Sequence, residues 1–241
     1  MKRYLQDLFL ADEPAEDSFL RTLPAVQALK GGKRLSLDAP ITFFVGENGT
    51  GKSTLLEAMA VAFGLNPEGG SKNFSFSTFD SHANLSLGLS KLHLPRDSFF
   101  LRAESFYNAA GYLDRLEEDL PGVIDAYGGV SLHKQSHGES FLSLMQNRFF
   151  GNGLYLLDEP EAALSPMRQL SLLVLLRDLV QKDSQFIIAT HSPILMAYPD
   201  ALIYEFTGDG ISRVNYRETE HYRVTRMFLE NPERMLRQLW E

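Results

Sequence analysis

Cysteine is absent from the 241 residues, which removes disulfides, zinc–thiolate sites and thiol catalysis from consideration. The absence fits a reducing compartment. No run of about 18 apolar residues occurs, so no membrane span is expected. The first residues, Met1-Lys2-Arg3-Tyr4-Leu5-Gln6-Asp7, reach an acid before any apolar stretch long enough for a signal peptide. The expected location is therefore cytoplasmic. Positive charge is also in deficit: 23 Lys and Arg stand against 31 Asp and Glu, a formal net charge of −8. Composition thus lends no support to nucleic-acid binding, although a local basic stripe can carry it in an acidic protein. Arg213, Arg217, Arg223, Arg226, Arg234 and Arg237 gather near the C-terminus and read as a solvated helix face. Internal repeats, low-complexity tracts and obvious linkers are missing too.

What is present is enough apolar material for a full core. The chain is 44% hydrophobic and 22% charged, which argues against global disorder. It is read as a single domain over 1–241. Strands and helices alternate along it. Residues 41–45 form a β-branched and aromatic run suited to a buried parallel strand. Residues 52–63 follow as a helix, with Leu55, Leu56, Met59 and Phe63 on one face. Further strands are expected at 98–101, 154–157, 185–189 and 201–206, and Gly208-Asp209-Gly210 turns the chain back as a hairpin over 211–215. Helices are expected at 105–120, at 140–149, from Pro166 to about 182 and over most of 218–240. The apolar stretch near 170–179 reads as a buried helix. Residues 65–97 have little periodicity and read as a small lobe or a surface segment. The alternation predicts an α/β sheet that binds phosphate at its strand ends.

Gly46-Glu47-Asn48-Gly49-Thr50-Gly51-Lys52-Ser53 matches G-x-x-x-x-G-K-[ST] in full, between a buried strand and an amphipathic helix. Glycines let successive N–H groups point at phosphate oxygens, and the helix adds its positive end. Lys52 is expected to reach the β- and γ-phosphates of ATP, Ser53 to ligate Mg²⁺ and Thr54 to add a hydroxyl at the α-phosphate. Leu154-Tyr155-Leu156-Leu157-Asp158-Glu159-Pro160 is an apolar strand ending in two acids. Such a pair is costly at a strand end unless it has work to do, though the composition also suits a solvated turn. With the phosphate loop in the same chain, Asp158 is assigned to Mg²⁺ and Glu159 to the attacking water as general base.

Three further segments narrow the class. Ser136-His137-Gly138-Glu139-Ser140 resembles the signature motif of ATP-binding-cassette (ABC) ATPases, with His137 where the first glycine usually stands. Glu161-Ala162-Ala163-Leu164-Ser165-Pro166 looks like the D-loop, and Thr190-His191-Ser192-Pro193 like the switch-histidine segment. Their order and spacing resemble the ABC superfamily over about residues 20–235. The Asp-Glu-Pro-Glu and Thr-His-Ser-Pro forms are similar to the soluble branch that includes RecF, the SMC proteins, the OLD nucleases and small stand-alone ATPases. The fit is best to the last group, through the strand and loop at 44–49, Arg102-Ala103-Glu104-Ser105-Phe106 and residues 159–166.

The resemblance implies a P-loop NTPase of ABC type: a mainly parallel sheet flanked by helices, with a helical signature subregion at about 105–150. It implies ATP hydrolysis at a composite site, with two copies joined head to tail in a homodimer. Gly46, Asn48, Gly49, Thr50, Gly51, Lys52, Ser53 and Thr54 of one copy would hold the nucleotide. Ser136 and Gly138 of the other would cap it. His191 would contact the γ-phosphate and the attacking water, and a further protein partner would receive the motion. No clear Q-loop glutamine follows the strand at 98–101. Glu104 is the candidate for that place and for the metal; a surface ion pair with Arg102 is the alternative. Tyr4 and Phe19 are considered for adenine stacking but read more simply as core. His82, His93, His133 and His221 have no supporting context and receive no role. Competing readings are a transporter's nucleotide-binding subunit, a DNA-repair or defence ATPase and a non-hydrolysing nucleotide sensor.

Overall fold

A computed structural model describes residues 2–67, 69–70, 85–104, 106, 111, 117, 122 and 137–241, His137 by its backbone alone. Its centre is a six-stranded sheet of order β5-β6-β7-β3-β8-β9: Asp97–Arg102, Gly153–Asp158, Gln185–Ala189, Ile41–Gly46, Leu202–Thr207 and Gly210–Val214. The first five strands run parallel; β9 pairs antiparallel with β8 through the expected hairpin.

Every residue of β3, β6 and β7 is buried, so these strands read as continuous apolar runs with no polar face. Alternation still sorts their side chains. Phe43, Tyr155, Leu157, Phe186 and Ile188 feed one core cluster, and Phe44, Leu154, Leu156, Ile187 and Ala189 feed another on the opposite face. The first cluster takes in side chains from α3 (His137–Arg148) and α4 (Pro166–Gln181); the second takes in α1 (Pro24–Leu29) and α2 (Lys52–Phe63). Two short elements, α5 (Pro193–Met196) and α6 (Glu220–Glu230), lead to the last helix, α7 (Pro232–Trp240). Among the described residues no helix is long and apolar enough to cross a membrane.

Three expectations change. The N-terminal strand β1 (Leu5–Leu10) lies between β2 (Arg34–Ser36) and β4 (Leu87–Lys91) in a separate antiparallel sheet that the sequence pattern did not announce. Part of the stretch at 65–97 is therefore ordered strand. The helix at 170–179 is not buried all round: Leu172, Leu176 and Leu179 are buried, whereas Leu170 and Val174 are about half exposed, at 48% and 52%. One face packs on the sheet and the other meets solvent. Tyr4 is core as expected, its hydroxyl donating to the Asp183 carbonyl at 2.8 Å, which rules it out as an adenine platform. Phe19 is exposed rather than core. The helix expected at 105–120 lies largely outside the described residues.

A fully buried side chain at the start of β7, Gln185, joins the two sheets, beside Tyr204 on β8, whose hydroxyl donates to the Ser36 carbonyl of β2 at 2.9 Å. Gln185 Oε1 accepts from the Tyr4 and Leu5 amides at 2.8 and 2.9 Å. Its Nε2 donates to the Leu5, Leu37 and Ala39 carbonyls at 3.0, 2.9 and 3.3 Å. Its two N–H hydrogens go to the Leu5 and Leu37 carbonyls, the longer Ala39 contact sharing one of them, so the buried amide is satisfied by Tyr4, by β1 and by the loop leading into β3.

Candidate functional site

The parallel register brings the motifs to one edge. Arg102 pairs with Asp158 and Asp158 with Ala189, while Phe44, two residues before Gly46, also pairs with Ala189. The phosphate loop, the two acids and the histidine segment therefore leave the sheet side by side, although they are remote in sequence. Two backbone bonds tie them: Glu159 N–H to Ala189 O at 2.9 Å and Thr190 N–H to Phe44 O at 3.0 Å.

Gly46 has φ +125°, and a Cβ there would fall 2.1 Å from the Phe206 carbonyl oxygen. Gly51 has φ +98° and abuts Ala25. Any side chain at either position would push the loop off the sheet. Glu47, Asn48 and Gly49 form its exposed rim, and the Thr50 hydroxyl closes the turn on the Glu47 carbonyl at 2.8 Å. The first turn of α2 carries no side-chain cap, leaving its amide end to act on an anion. Lys52 is buried and folds back over the loop, donating to the Gly46 and Glu47 carbonyls at 2.7 and 2.8 Å. Burial lowers its pKa, against the opposing pull of Glu159 and Asp158. Ser53 and Thr54 follow in the same turn, half-buried.

The Ser53 hydroxyl donates to Asp158 Oδ1 at 2.9 Å. Burial pushes the Asp158 carboxyl up to about 6, with the Arg102 guanidinium and the Ser53 bond pulling down. Arg102 Nε lies 3.3 Å from Asp158 Oδ2, and its two terminal nitrogens lie 3.4 Å from Glu57 and Glu104. Arg102 is thus a largely buried clasp on three acids, not half of a surface pair. Glu104 is its exposed partner and also lines a cleft of about 260 Å³ with Ser53, Ala103, Asp158, Glu159 and Ala162. The donors at this cleft are hard oxygens, hydroxyl and carboxylate, which suits Mg²⁺ held partly by nucleotide and water. The described residues contain no cluster of three or more His, Cys, Asp or Glu able to cage a metal by themselves.

Glu159 stands in the left-handed region at φ 49°, an uncommon place for a glutamate. The hydrogen bond from its amide to the Ala189 carbonyl and the 3-10 turn at Pro160–Ala163 hold it there, with the carboxylate partly exposed beside the cleft. His191 Nε2 lies 3.4 Å from Glu159 Oε1. Two neighbours escaped the sequence reading. Glu161, raised in pKa by burial, accepts from the Thr190 hydroxyl at 2.7 Å and from the His191 amide, so it anchors the histidine segment. Its only signal was the fourth residue of Asp-Glu-Pro-Glu. His221, denied a role above, places Nε2 2.9 Å from His191 Nδ1. It lies 30 positions away on α6, and nothing local marks it.

The signature segment is only partly covered. Ser136 lies outside the described residues. Gly138 opens α3 and packs within its own chain: a Cβ there would fall 2.8 Å from the Ala163 carbonyl and 3.0 Å from Arg168. Three of the six C-terminal arginines share a cleft with acids. The cleft beside α6 mixes Arg217, Arg223 and Arg226 with Glu205, Glu218, Glu220 and Glu230.

Two family profiles match successive parts of the chain: one described as "AAA domain" over residues 25–105, the other as "AAA domain, putative AbiEii toxin, Type IV TA system" over residues 130–197. No curated protein matches it in sequence. Among solved structures, CbiO1 from Clostridium perfringens, described as part of the ABC transporter complex CbiONQ, is 16% identical with a TM-score of 0.53. That match covers 99% of this chain and 100% of that one. The SMC head domain from Thermotoga maritima is 17% identical with a TM-score of 0.47, covering 88% of this chain and 99% of that one. The second likeness is too loose to carry an argument, and the first speaks for fold alone. With the loop, the acidic strand end and the sheet that joins them, these findings agree: the chain is similar to AAA-type domains in sequence over two successive parts, and to an ABC transporter's CbiO1 in fold.

Proposed function

We propose that the chain binds ATP with Mg²⁺ on residues 46–54 and hydrolyses it at a composite site between two copies docked head to tail. The observation that carries this is the meeting at one sheet edge of the loop, the Ser53–Asp158 contact and the Glu159–His191 contact. Lys52 exchanges its two loop carbonyls for phosphate oxygens, so its charge moves without leaving the cradle. Asp158 and Ser53 offer oxygens to Mg²⁺, with Glu104 at the rim of the same cleft. Magnesium, when bound, neutralises phosphate charge. Glu159 takes the proton of the attacking water, and His191 holds that carboxylate in place. Ser136 and Gly138 cap the nucleotide on the partner copy, and the closure of the dimer moves a further protein. A single domain over 1–241, with its signature subregion at about 105–150, suffices for this.

Glu159→Gln tests the reading. The variant should bind ATP yet release phosphate about a hundredfold or more slowly, because an amide cannot accept the proton. Trapped ATP should shift it from monomer to dimer in light scattering. Turnover near the parental rate would remove Glu159 from the chemistry.

A further inference from the structure

We propose that His221 is a positioning residue that sets the tautomer of His191, so that His191 presents a proton, not a lone pair, to Glu159. The role rests on the reading of Glu159 and His191 as the hydrolytic pair. The contacts that assign the protons stand apart from it.

His221 occupies the first turn of α6, whose start is well fixed. The fully buried Thr219 caps it, accepting from the Tyr222 amide at 3.3 Å, and Glu205 on β8 accepts from the Glu220 amide at 2.9 Å. The imidazole is thereby held against His191, ring centres 5.1 Å apart and Nε2 to Nδ1 2.9 Å. Burial lowers the pKa of both rings, with Lys52 adding to the effect, so both are neutral near pH 7. The charged groups around His221 are Lys52 on α2, Glu47 on the loop, Glu205 on β8 and Glu220 on its own helix.

A neutral imidazole has one N–H and one lone pair. Across the 2.9 Å contact one nitrogen must donate and the other accept, which leaves two arrangements. The choice turns on the far nitrogens, His191 Nε2 and His221 Nδ1, which are both buried without a hydrogen-bond partner among the described residues. Either arrangement therefore leaves one buried N–H unbonded, on His191 Nε2 or on His221 Nδ1. The Glu159 carboxylate decides between them: its Oε1 lies 3.4 Å from His191 Nε2, so a proton on that nitrogen is attracted to it, whereas a lone pair there would be repelled. His191 Nδ1 then holds a lone pair and needs a donor, which is His221 Nε2–H. His221 therefore directs the His191 proton to the sheet edge where the attacking water must be oriented.

The test replaces His221 by two near-isosteric side chains of opposite character. In His221→Gln the carboxamide N–H can still donate to His191 Nδ1. In His221→Glu the carboxylate only accepts and draws a proton onto Nδ1. The readout is the imidazole ¹⁵N spectrum of the full chain without nucleotide, with His191 assigned by its loss in His191→Gln. Expected is a protonated Nε2 and a bare Nδ1 in the parent and in His221→Gln, and a protonated Nδ1 in His221→Glu. In steady-state ATP hydrolysis, His221→Glu and His221→Ala should lower kcat by about tenfold or more with KM little changed, and His221→Gln should recover most of it. A parent spectrum with the His191 proton on Nδ1 overturns the proposal. So does equal loss of activity in the Gln and Glu variants at unchanged melting temperature. If His221→Glu does not fold, the parent spectrum alone decides. A parent inert towards ATP but with the expected spectrum upholds the tautomer assignment and removes the hydrolysis reading.

Discussion

Replacing Gln185 by methionine should cost far more than its conservative shape suggests. Methionine has a similar length and reach, so little packing volume changes. What disappears is an acceptor for two amides and two N–H donors to the Leu5 and Leu37 carbonyls, one of them shared with Ala39, all at a fully buried position. Four of these contacts lie at 3.0 Å or less. A buried backbone group left without a partner costs about 1–3 kcal/mol, so four at the lower bound give roughly 4 kcal/mol. For a chain of this size, that is a fall in Tm of roughly 10 °C. Urea unfolding at fixed temperature, followed by circular dichroism, measures it, with Gln181→Met at the exposed end of α4 as a control expected within about 0.5 kcal/mol of the parent. Gln185 opens β7, whereas the candidate site lies beyond the other end of that strand. ATP affinity well below the melting temperature should therefore survive the change. A loss under about 1 kcal/mol would refute the idea that this amide fastens the two sheets.

Lys52→Ala removes a buried cation with two short donor contacts, and charged hydrogen bonds are worth about 1.5–3 kcal/mol each, so ATP affinity should weaken about a hundredfold or more in calorimetry. The histidine pair contributes to the pH dependence of stability with a definite sign. His191 and His221 are held neutral by burial while their unfolded forms take up protons near pH 6.5, so their contribution should fall as pH drops below about 6.5, opposite to that of Asp158 and Glu161, whose raised carboxyls gain stability as pH falls. A His191→Gln/His221→Gln double variant should lose less than the parent over that window in denaturant titrations, and equal slopes would contradict the neutral pair.

The phosphate loop, the acidic strand end and the histidine segment were legible because each is written in consecutive residues. A strand of five apolar residues, a glycine turn and a lysine at a helix start have the same meaning wherever they occur. The buried parallel sheet was legible for a similar reason, since strands covered on both faces must be apolar throughout. The clasp of Arg102 on Asp158, the hold of Glu161 on the histidine segment, the contact of His191 with His221 and the bridging by Gln185 were decided by tertiary structure. Each joins side chains whose neighbours in sequence give no sign of the partner. Strand register and the seating of α6 set their distances, and neither leaves a period in the chain. The short antiparallel sheet was hidden likewise: β2 has only three residues and β4 is mostly half-exposed, so pairing across the fold, rather than local pattern, makes them strands.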